Sequence, residues 1–309
     1  MDLETLKQKM DEAHYIYDET LITVLYVALR LNRPLLIEGA AGVGKTEIAK
    51  VMASALEREL VRMQCYEGLD ESKSLYEWNY QKQLLSIQVN MGRRDEDELT
   101  RSLFSDEYLL ERPLLKSIRS SEPVVLLIDE IDKSDEEFEA FLLELLSDMQ
   151  VSIPEIGTVK ATTVPFVVLT SNRARPISDA LRRRCAYLYI EYPDMDKELA
   201  ILRARLPHID DRLAVQVVSA VQKFRSSEAV LKKPSIAETL DWAQALDALG
   251  VRELTPEIMR GTVGFVLKNN EDIDLLDEIL GEKCDDPDCS GDHENCEHAG
   301  EHHHHHHHG

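Results

Sequence analysis

The chain has 309 residues, enough for one large domain or two ordinary ones, and 43% of them are apolar, which is enough for a core. Its formal net charge is −23, and so acidic a surface repels the phosphate backbone of nucleic acids, which argues against a nucleic-acid motor. No stretch reaches the roughly 18 uncharged apolar residues of a membrane span, and the acidic N-terminus lacks an apolar signal region, so we expect a cytoplasmic protein.

The first part of the chain is predicted to be helical over residues 3–31, and its apolar face leads into a short buried strand at residues 34–37. Residues 39–46 then fit the P-loop pattern G-x-x-x-x-G-K-[ST], and residues 47–56 have the apolar spacing of a helix. Backbone N–H groups in such a loop curl around phosphate, and the dipole of the following helix adds positive charge. The sequence therefore predicts a nucleotide site.

Two side chains of this loop have distinct tasks. Lys45 can reach the β- and γ-phosphates of a bound nucleotide, and the Thr46 hydroxyl can bind Mg²⁺. The predicted nucleotide contacts are Gly39, Ala40, Ala41, Gly42, Val43, Gly44, Lys45 and Thr46.

The region after the P-loop helix combines strands with an insertion. Residues 60–65 are predicted to be a strand, and the charged stretch 66–121 is predicted to be helices and loops inserted into the core fold. Residues 123–128 are apolar throughout, which is typical of a strand buried on both faces of a parallel sheet.

Two adjacent carboxylates, Asp129 and Glu130, follow that buried strand. Strand geometry points neighbouring side chains in different directions, so the two can take different tasks. We expect Asp129 to hold the Mg²⁺ water shell beside Thr46. We expect Glu130 to orient and polarise a water molecule for attack on the γ-phosphate.

A third polar motif follows another buried strand. A helix is predicted over residues 134–149, a β-hairpin over 151–159 and the strand over 165–170. Asn172 comes directly after it, and its amide can hydrogen-bond both the attacking water and a γ-phosphate oxygen. The alternative is an ordinary turn residue, since Asn favours turns.

Three consecutive arginines, at residues 182–184, precede a fifth predicted strand at 186–190. They cannot all serve one active site, and a basic cluster at a helix end also favours the helix dipole. The functional interpretation is an arginine finger that reaches the γ-phosphate of a neighbouring subunit, with Arg184 preferred to Arg183. This interpretation requires a homo-oligomer, because we place the P-loop at the other side of the domain.

Residues 196–280 are predicted to contain only helices, at 198–206, 212–224, 235–249 and 256–267. The predicted domains are therefore a nucleotide-binding domain over 1–193 and a helical lid over 194–281. The acidic tail, 282–309, is predicted to be disordered from its composition.

The order of the motifs GAAGVGKT, LLIDEID, TSN and LRRRC, followed by a small helical domain, resembles an AAA+ ATPase. More closely the chain resembles the MoxR family, and within it the CoxD-like branch. The similarity covers roughly residues 12–280. The closer resemblance is carried by residues 64–70, 75–80, 138–148, 169–173 and 180–185.

This resemblance implies an α/β fold of the AAA+ P-loop NTPase type, with a parallel five-stranded sheet in the order 5-1-4-3-2 and a C-terminal helical lid. It also implies a ring, usually a hexamer, that hydrolyses ATP with Mg²⁺ between subunits. Family members act as chaperone-like ATPases that activate metalloenzyme partners or load their metal cofactors, often with a von Willebrand factor A domain protein. The CoxD-like branch implies maturation of the copper–molybdenum site of a carbon monoxide dehydrogenase.

One departure from the family pattern concerns the lid. Many AAA+ proteins carry a sensor-2 arginine at the start of the third lid helix, but no arginine follows Pro234 here. Either Lys232 or Lys233 replaces it, or lid motion is coupled to the nucleotide differently.

The tail holds a second puzzle. Its candidate ligands for Zn, Ni or Cu are Cys284, Cys289, His293, Cys296 and His298, followed by seven histidines at 302–308. The alternative is a purification tag on a polar tail.

Three functions thus compete. The leading hypothesis is an ATP-driven chaperone for a metalloenzyme. The alternatives are an AAA+ nucleic-acid motor of the helicase or clamp-loader type, which the net charge disfavours, and metal storage or delivery through the tail.

Overall fold

The computed structural model describes residues 1–93 and 95–280. Its strands are β1 (Leu35–Gly39), β2 (Leu60–Gln64), β3 (Tyr76–Trp78), β4 (Leu109–Glu111), β5 (Val125–Asp129), β6 (Gln150–Ile153), β7 (Gly157–Lys160), β8 (Phe166–Ser171) and β9 (Ala186–Ile190).

The helices before the second half of the sheet are α1 (Leu3–Glu12), α2 (Glu19–Arg30), α3 (Lys45–Ala55), α4 (Glu71–Leu75), α5 (Tyr80–Asn90), α6 (Glu96–Leu103), α7 (Pro113–Arg119) and α8 (Glu136–Asp148). The later ones are α9 (Asp179–Arg184), α10 (Met195–Arg205), α11 (Asp211–Ser226), α12 (Ile236–Ala248), α13 (Pro256–Thr262), α14 (Asn270–Asp274) and α15 (Leu276–Leu280).

The central sheet is parallel, with the strand order β2-β5-β8-β1-β9. With these strands numbered one to five along the chain, the order is 5-1-4-3-2, which confirms the prediction. Every residue of β1, β5 and β8 is buried, as their continuous apolar runs predict. Separate apolar clusters cover the sheet, one built with α1, α2 and α3 and the other with α7 and α8. The doubly wound sheet brings the ends of β1, β5 and β8 to one edge.

The N-terminal helical region is two helices rather than one. Asp18 interrupts it, because its carboxylate accepts the Leu21 backbone N–H at 2.8 Å and so caps the start of α2. In the lid, the predicted helix at 256–267 ends at Thr262 and continues as a 3-10 turn, Val263–Phe265.

The insertion contains β structure that the sequence did not predict. Strands β3 and β4 pair antiparallel on either side of α5 and α6. Helix α5 buries a polar side chain and exposes apolar ones. Gln83 is buried and donates to the Leu103 carbonyl at 2.6 Å, whereas Leu84 and Leu85 are exposed. An apolar face therefore points to solvent in this region.

The lid has its own core. Helices α10, α11 and α12 pack around Phe224 and Trp242, both fully buried. A buried ion pair between Glu198 and Arg225 joins α10 to α11. The lid thus forms a helical unit beside the sheet domain.

Candidate functional site

The P-loop joins β1 to α3, and two of its glycines have backbone angles that other residues rarely adopt. Gly42 has φ +76° and Gly44 has φ +97°. Helix α3 begins at Lys45, so the loop N–H groups lie beside the positive end of the helix dipole. The loop has the geometry of an anion site.

The Lys45 ammonium lies across this loop. Its Nζ donates to the Gly39 carbonyl at 3.0 Å and to the Ala40 carbonyl at 2.6 Å. Burial lowers the pKa of Lys45, and the carboxylates of Asp132, Asp129 and Glu130 oppose that shift. An ammonium has three N–H donors, so one remains for a phosphate oxygen.

The Asp129 carboxylate is buried at the end of β5 and is held by three side chains. Thr170 donates its hydroxyl to Asp129 Oδ1 at 2.5 Å, and Thr46 Oγ1 lies 3.1 Å from the same oxygen. Arg62 on β2 donates to Asp129 Oδ2 at 2.6 Å. The structure thus brings Thr46 and Asp129 together, as the sequence predicts.

The residues at this corner fit a magnesium ion. A hydroxyl oxygen and a carboxylate oxygen 3.1 Å apart are the hard donors that Mg²⁺ takes, together with waters and phosphate oxygens. When bound, the ion would neutralise phosphate charge, and Thr46 and Asp129 are the residues that would hold it.

Glu130 lies beside Asp129 but faces a different set of partners. Its backbone is left-handed, with φ +56°, and its N–H donates to the Thr170 hydroxyl at 2.8 Å. Its carboxylate accepts from Gln64 Nε2 at 2.7 Å and pairs with Lys133 at 2.6 Å. Asn172 Nδ2 lies 3.4 Å from Glu130 Oε1. The amide and the carboxylate are thus close enough for one water to contact both.

A cavity of about 370 Å³ opens between this edge of the sheet and the lid. Its lining includes the P-loop from Ala41 to Thr46, both strand-end carboxylates and Asn172. Its other walls are the N-terminal segment His14–Ile16 and the lid helices α10 and α12. The size and mixed lining suit a nucleotide, with apolar walls for a base and a glycine loop for phosphates.

The lid touches the P-loop directly. The Ile236 N–H donates to the Gly42 carbonyl at 3.2 Å, and a Cβ added to Gly42 would lie 2.2 Å from the Cβ of Ser235. Glycine at position 42 thus permits both the turn and this close approach of the lid.

The lid lysines proposed as substitutes for a sensor-2 arginine do not line the cavity in the described part of the chain. The Lys233 ammonium donates instead to the Ser227 carbonyl, and Lys232 is exposed. Two other lid cations do line it, Lys197 and Arg205, both on α10. Arg205 pairs with Glu47 at 2.7 Å, and the Lys197 ammonium has no ion-pair or hydrogen-bond partner among the described residues.

The three arginines of α9 differ in their surroundings. Arg182 Nη2 donates to Glu38 Oε1 at 2.5 Å, and Glu38 is buried directly before the P-loop. Arg183 and Arg184 are exposed, and Arg184 lies beside Arg33 and Ser147, outside the lining described above. Arg182 therefore has a partner within its own subunit, whereas the other two face outwards.

On the strands of the sheet, sequence reasoning missed three residues of the site: Arg62, Gln64 and Thr170. Arg62 and Gln64 alternate on β2 with the buried Val61 and Met63, so a period of two did mark a polar face. Their partners follow only from the pairing of β2 with β5, which sets Gln64 opposite Asp129. The sequence motifs alone do not contain that register.

The proposed tail ligands Cys284, Cys289, His293, Cys296 and His298 lie outside the described residues. Within residues 1–93 and 95–280, no group of three or more His, Cys, Asp and Glu side chains is arranged to hold a metal ion. In the same residues no helix is both long enough and apolar enough to span a membrane.

The chain resembles known proteins by a family model and by sequence. Residues 34–185 match the family model of the AAA domain, dynein-related subfamily. An uncharacterized protein of Staphylococcus saprophyticus is 22% identical over 244 residues, which are 77% of this chain and 84% of that protein. The gas vesicle ATPase GvpN of Ancylobacter aquaticus is 25% identical over 246 residues, 75% of this chain and 66% of that protein.

Among solved structures, the RuvB Holliday junction branch migration motor of Thermotoga maritima aligns over 88% of this chain and 72% of its own, with 18% identity and a TM-score of 0.44. The matched AAA domain, the parallel sheet order and the P-loop geometry define the fold as α/β of the AAA+ P-loop type, with a helical C-terminal region.

Proposed function

Since the chain is an ATPase with an AAA domain over residues 34–185, we propose that it is a MoxR-type chaperone that spends ATP to remodel or activate a metalloenzyme partner. The observation that supports ATP turnover rather than nucleotide binding alone is the placement of Glu130. Its carboxylate lines the nucleotide cavity 3.4 Å from the Asn172 amide, beside the carboxylate that would serve Mg²⁺. A site that only bound nucleotide would not need this second acid.

In this proposal the residues divide the work. The P-loop N–H groups and Lys45 bind the phosphates, and Thr46 and Asp129 hold the Mg²⁺ shell. Glu130 takes a proton from a water that Asn172 orients, and that water attacks the γ-phosphorus as the bond to the leaving ADP oxygen breaks. Negative charge develops on the transferred group, so an arginine near it lowers the barrier.

That arginine would come from a neighbouring subunit. Arg182 is held by Glu38 of its own chain, and the exposed Arg183 and Arg184 lie outside the cavity lining, so neither serves the site of its own subunit. We therefore propose a ring, a hexamer as the family resemblance implies, in which Arg184 completes the next subunit's site. We also propose that the chain divides into a nucleotide-binding domain over 1–193 and a helical lid over 194–281.

The client is proposed from the CoxD-like resemblance of residues 64–70, 75–80 and 138–148. It implies a metalloenzyme of the copper–molybdenum carbon monoxide dehydrogenase type and a partner with a von Willebrand factor A domain, in the cytoplasm. A gene deletion tests this proposal: metal content and activity of that enzyme should fall, and wild-type protein but not Glu130→Gln should restore them. Normal metallation in the deletion strain would exclude this client.

Two further candidates are separated by simple additions and deletions. Stimulation of the ATPase by DNA would favour a nucleic-acid motor, which the net charge of −23 opposes.

Removing residues 282–309 tests metal delivery through the tail. We expect loss of Ni²⁺ or Zn²⁺ uptake without loss of ATPase, and metal binding that weakens as pH falls, because protonated imidazole cannot ligate. Unchanged metallation of the client without the tail would argue against a delivery role.

A further inference from the structure

The carboxylate proposed to serve Mg²⁺ already has a cation on it. Arg62 Nη2 donates to Asp129 Oδ2 at 2.6 Å, and Asp129 is buried while the Arg62 side chain is 48% exposed. Thr170 and Thr46 contact the other oxygen, at 2.5 and 3.1 Å. Both oxygens of Asp129 are therefore engaged by groups of this chain.

The surrounding charges explain why a cation lies there. Asp129, Glu130 and the buried Asp132 come within four residues of one another, and close carboxylates repel. Lys133 pairs with Glu130, and Arg62 offsets the charge of Asp129. A Mg²⁺ ion held by Thr46 and Asp129 would add two positive charges at the carboxylate that the Arg62 guanidinium already contacts, and like charges on one carboxylate repel each other.

Arg62 has room to leave. It lies on β2, one of the two edge strands of the sheet, and about half of its side chain is already in solvent. The guanidinium also has a second hydrogen-bond acceptor nearby, because Gln64 Oε1 lies 3.4 Å from the same Nη2. Losing one half-exposed ion pair costs little compared with what a divalent ion gains from phosphate and carboxylate oxygens.

We propose that Arg62 occupies the place of Mg²⁺ at Asp129 in the nucleotide-free protein and is displaced when Mg²⁺ enters with the nucleotide. It is a positioning residue that raises the Mg²⁺ concentration needed for tight nucleotide binding. The inference rests on the proposed role of Asp129 as the carboxylate that holds the Mg²⁺ shell.

The test measures metal dependence by binding rather than by turnover. A fluorescent N-methylanthraniloyl ADP is bound to the full-length chain in chelator-treated buffer, and MgCl₂ is titrated to give an apparent Mg²⁺ dissociation constant. Arg62→Gln should lower that constant on the order of tenfold, which corresponds to about 1.4 kcal/mol. Arg62→Lys retains the charge and should stay closer to wild type, and it also serves if the glutamine variant is unstable.

A matched control is Arg112→Gln, which removes an arginine of similar exposure from its pair with Glu77 in the insertion. It should leave the Mg²⁺ constant unchanged. An unchanged or higher constant in Arg62→Gln overturns the proposal, because Arg62 would then be neutral to the metal or assist it.

A further variant tests the metal role of Asp129 separately from the displacement of Arg62. Asp129→Asn should raise the Mg²⁺ constant. If it does so while Arg62→Gln has no effect, only the displacement of Arg62 is wrong. If Asp129→Asn also has no effect, the proposed metal role of Asp129 fails, and the inference fails with it.

Discussion

Two buried carboxylates, Asp129 in the sheet domain and Glu198 in the lid, are both paired with arginine, but the pairs differ in how they meet solvent. Arg62 on Asp129 has 48% of its side chain exposed. Arg225 on Glu198 has 6%, and it contacts both carboxylate oxygens, at 2.6 and 2.7 Å. One pair lies open at a cavity edge, and the other is enclosed.

The enclosed pair is also fully partnered. Glu198 accepts from Gln222 at 2.7 Å and from Thr239 at 2.8 Å, so α10, α11 and α12 meet at one carboxylate. Such a network holds its members in place because no partner can be exchanged without leaving a buried charge. Asp129, by contrast, has one partner that can be replaced by an ion. We therefore distinguish a structural network around Glu198, called the frame, from the nucleotide site around Asp129 and Glu130, called the reactive centre.

The comparison predicts the largest effect on stability at Arg225. Arg225→Met would leave the Glu198 carboxylate buried without its cation, and we expect the free energy of unfolding to fall by about 3 to 5 kcal/mol. Urea denaturation measures it. The control is Arg212→Met, whose pair with Glu253 is exposed and should be worth less than about 1 kcal/mol. Equal losses in the two variants would contradict the distinction.

Lys45 is a buried cation on the reactive side. Lys45→Ala should weaken ATP binding by about 1.5 to 3 kcal/mol, since a hydrogen bond to a charged phosphate is lost. Isothermal titration measures this change. Burial lowers the pKa of Lys45 from its ordinary value, so wild-type affinity should begin to fall, as pH rises, at lower pH than an exposed lysine would allow. An affinity indifferent to this substitution would remove Lys45 from the site.

We also propose that the reactive centre is complete only when a neighbouring subunit contributes Arg184. Arg184→Ala subunits and Lys45→Ala subunits should each be nearly inactive alone. When mixed, they should recover part of the ATPase activity, because some interfaces then join an intact P-loop to an intact Arg184. The matched control repeats the mixing experiment with Arg183→Ala subunits in place of the Arg184→Ala subunits. Full activity of the wild-type chain as a dilute monomer would rule out a finger from a neighbour.

The smallest expected effect concerns the lid residue that sequence reasoning missed. Lys197 lines the cavity without a partner among the described residues, so Lys197→Ala should weaken ATP binding by about 0.5 to 1.5 kcal/mol. Lys223→Ala, at an exposed site on α11, should leave affinity unchanged. Lys197→Arg should keep most of the affinity. Identical behaviour of the two alanine variants would leave α10 without a nucleotide contact.

The sequence was sufficient to predict the placement of candidate site residues that lie within one continuous motif. The P-loop, Asp129, Glu130 and Asn172 each follow a buried strand, and parallel strands bring such ends to one edge of the sheet. The strand order came from the family resemblance rather than from periodicity. Arg62 and Gln64 were missed, because their partners depend on the register between β2 and β5.

The insertion shows a different limit. Apolar residues at helical spacing ordinarily predict a buried face, but Leu84 and Leu85 on α5 are exposed and Gln83 is buried. Tertiary contacts, here the Gln83 bond to Leu103 and the Tyr108 hydroxyl bond to Ser86, decide which face turns inwards. A pattern that gives a helix does not by itself give the helix its orientation.

One experiment tests the division into a reactive centre and a frame most directly, with the same substitution made on each side. Glu130→Gln and Glu198→Gln are compared for ATP turnover and for thermal midpoint. We predict that Glu130→Gln loses about 10²- to 10⁴-fold in kcat and keeps its midpoint. Glu198→Gln should keep turnover per folded molecule and lose roughly 5 to 10 °C. Normal turnover in Glu130→Gln, or loss of both properties in both variants, would contradict the account.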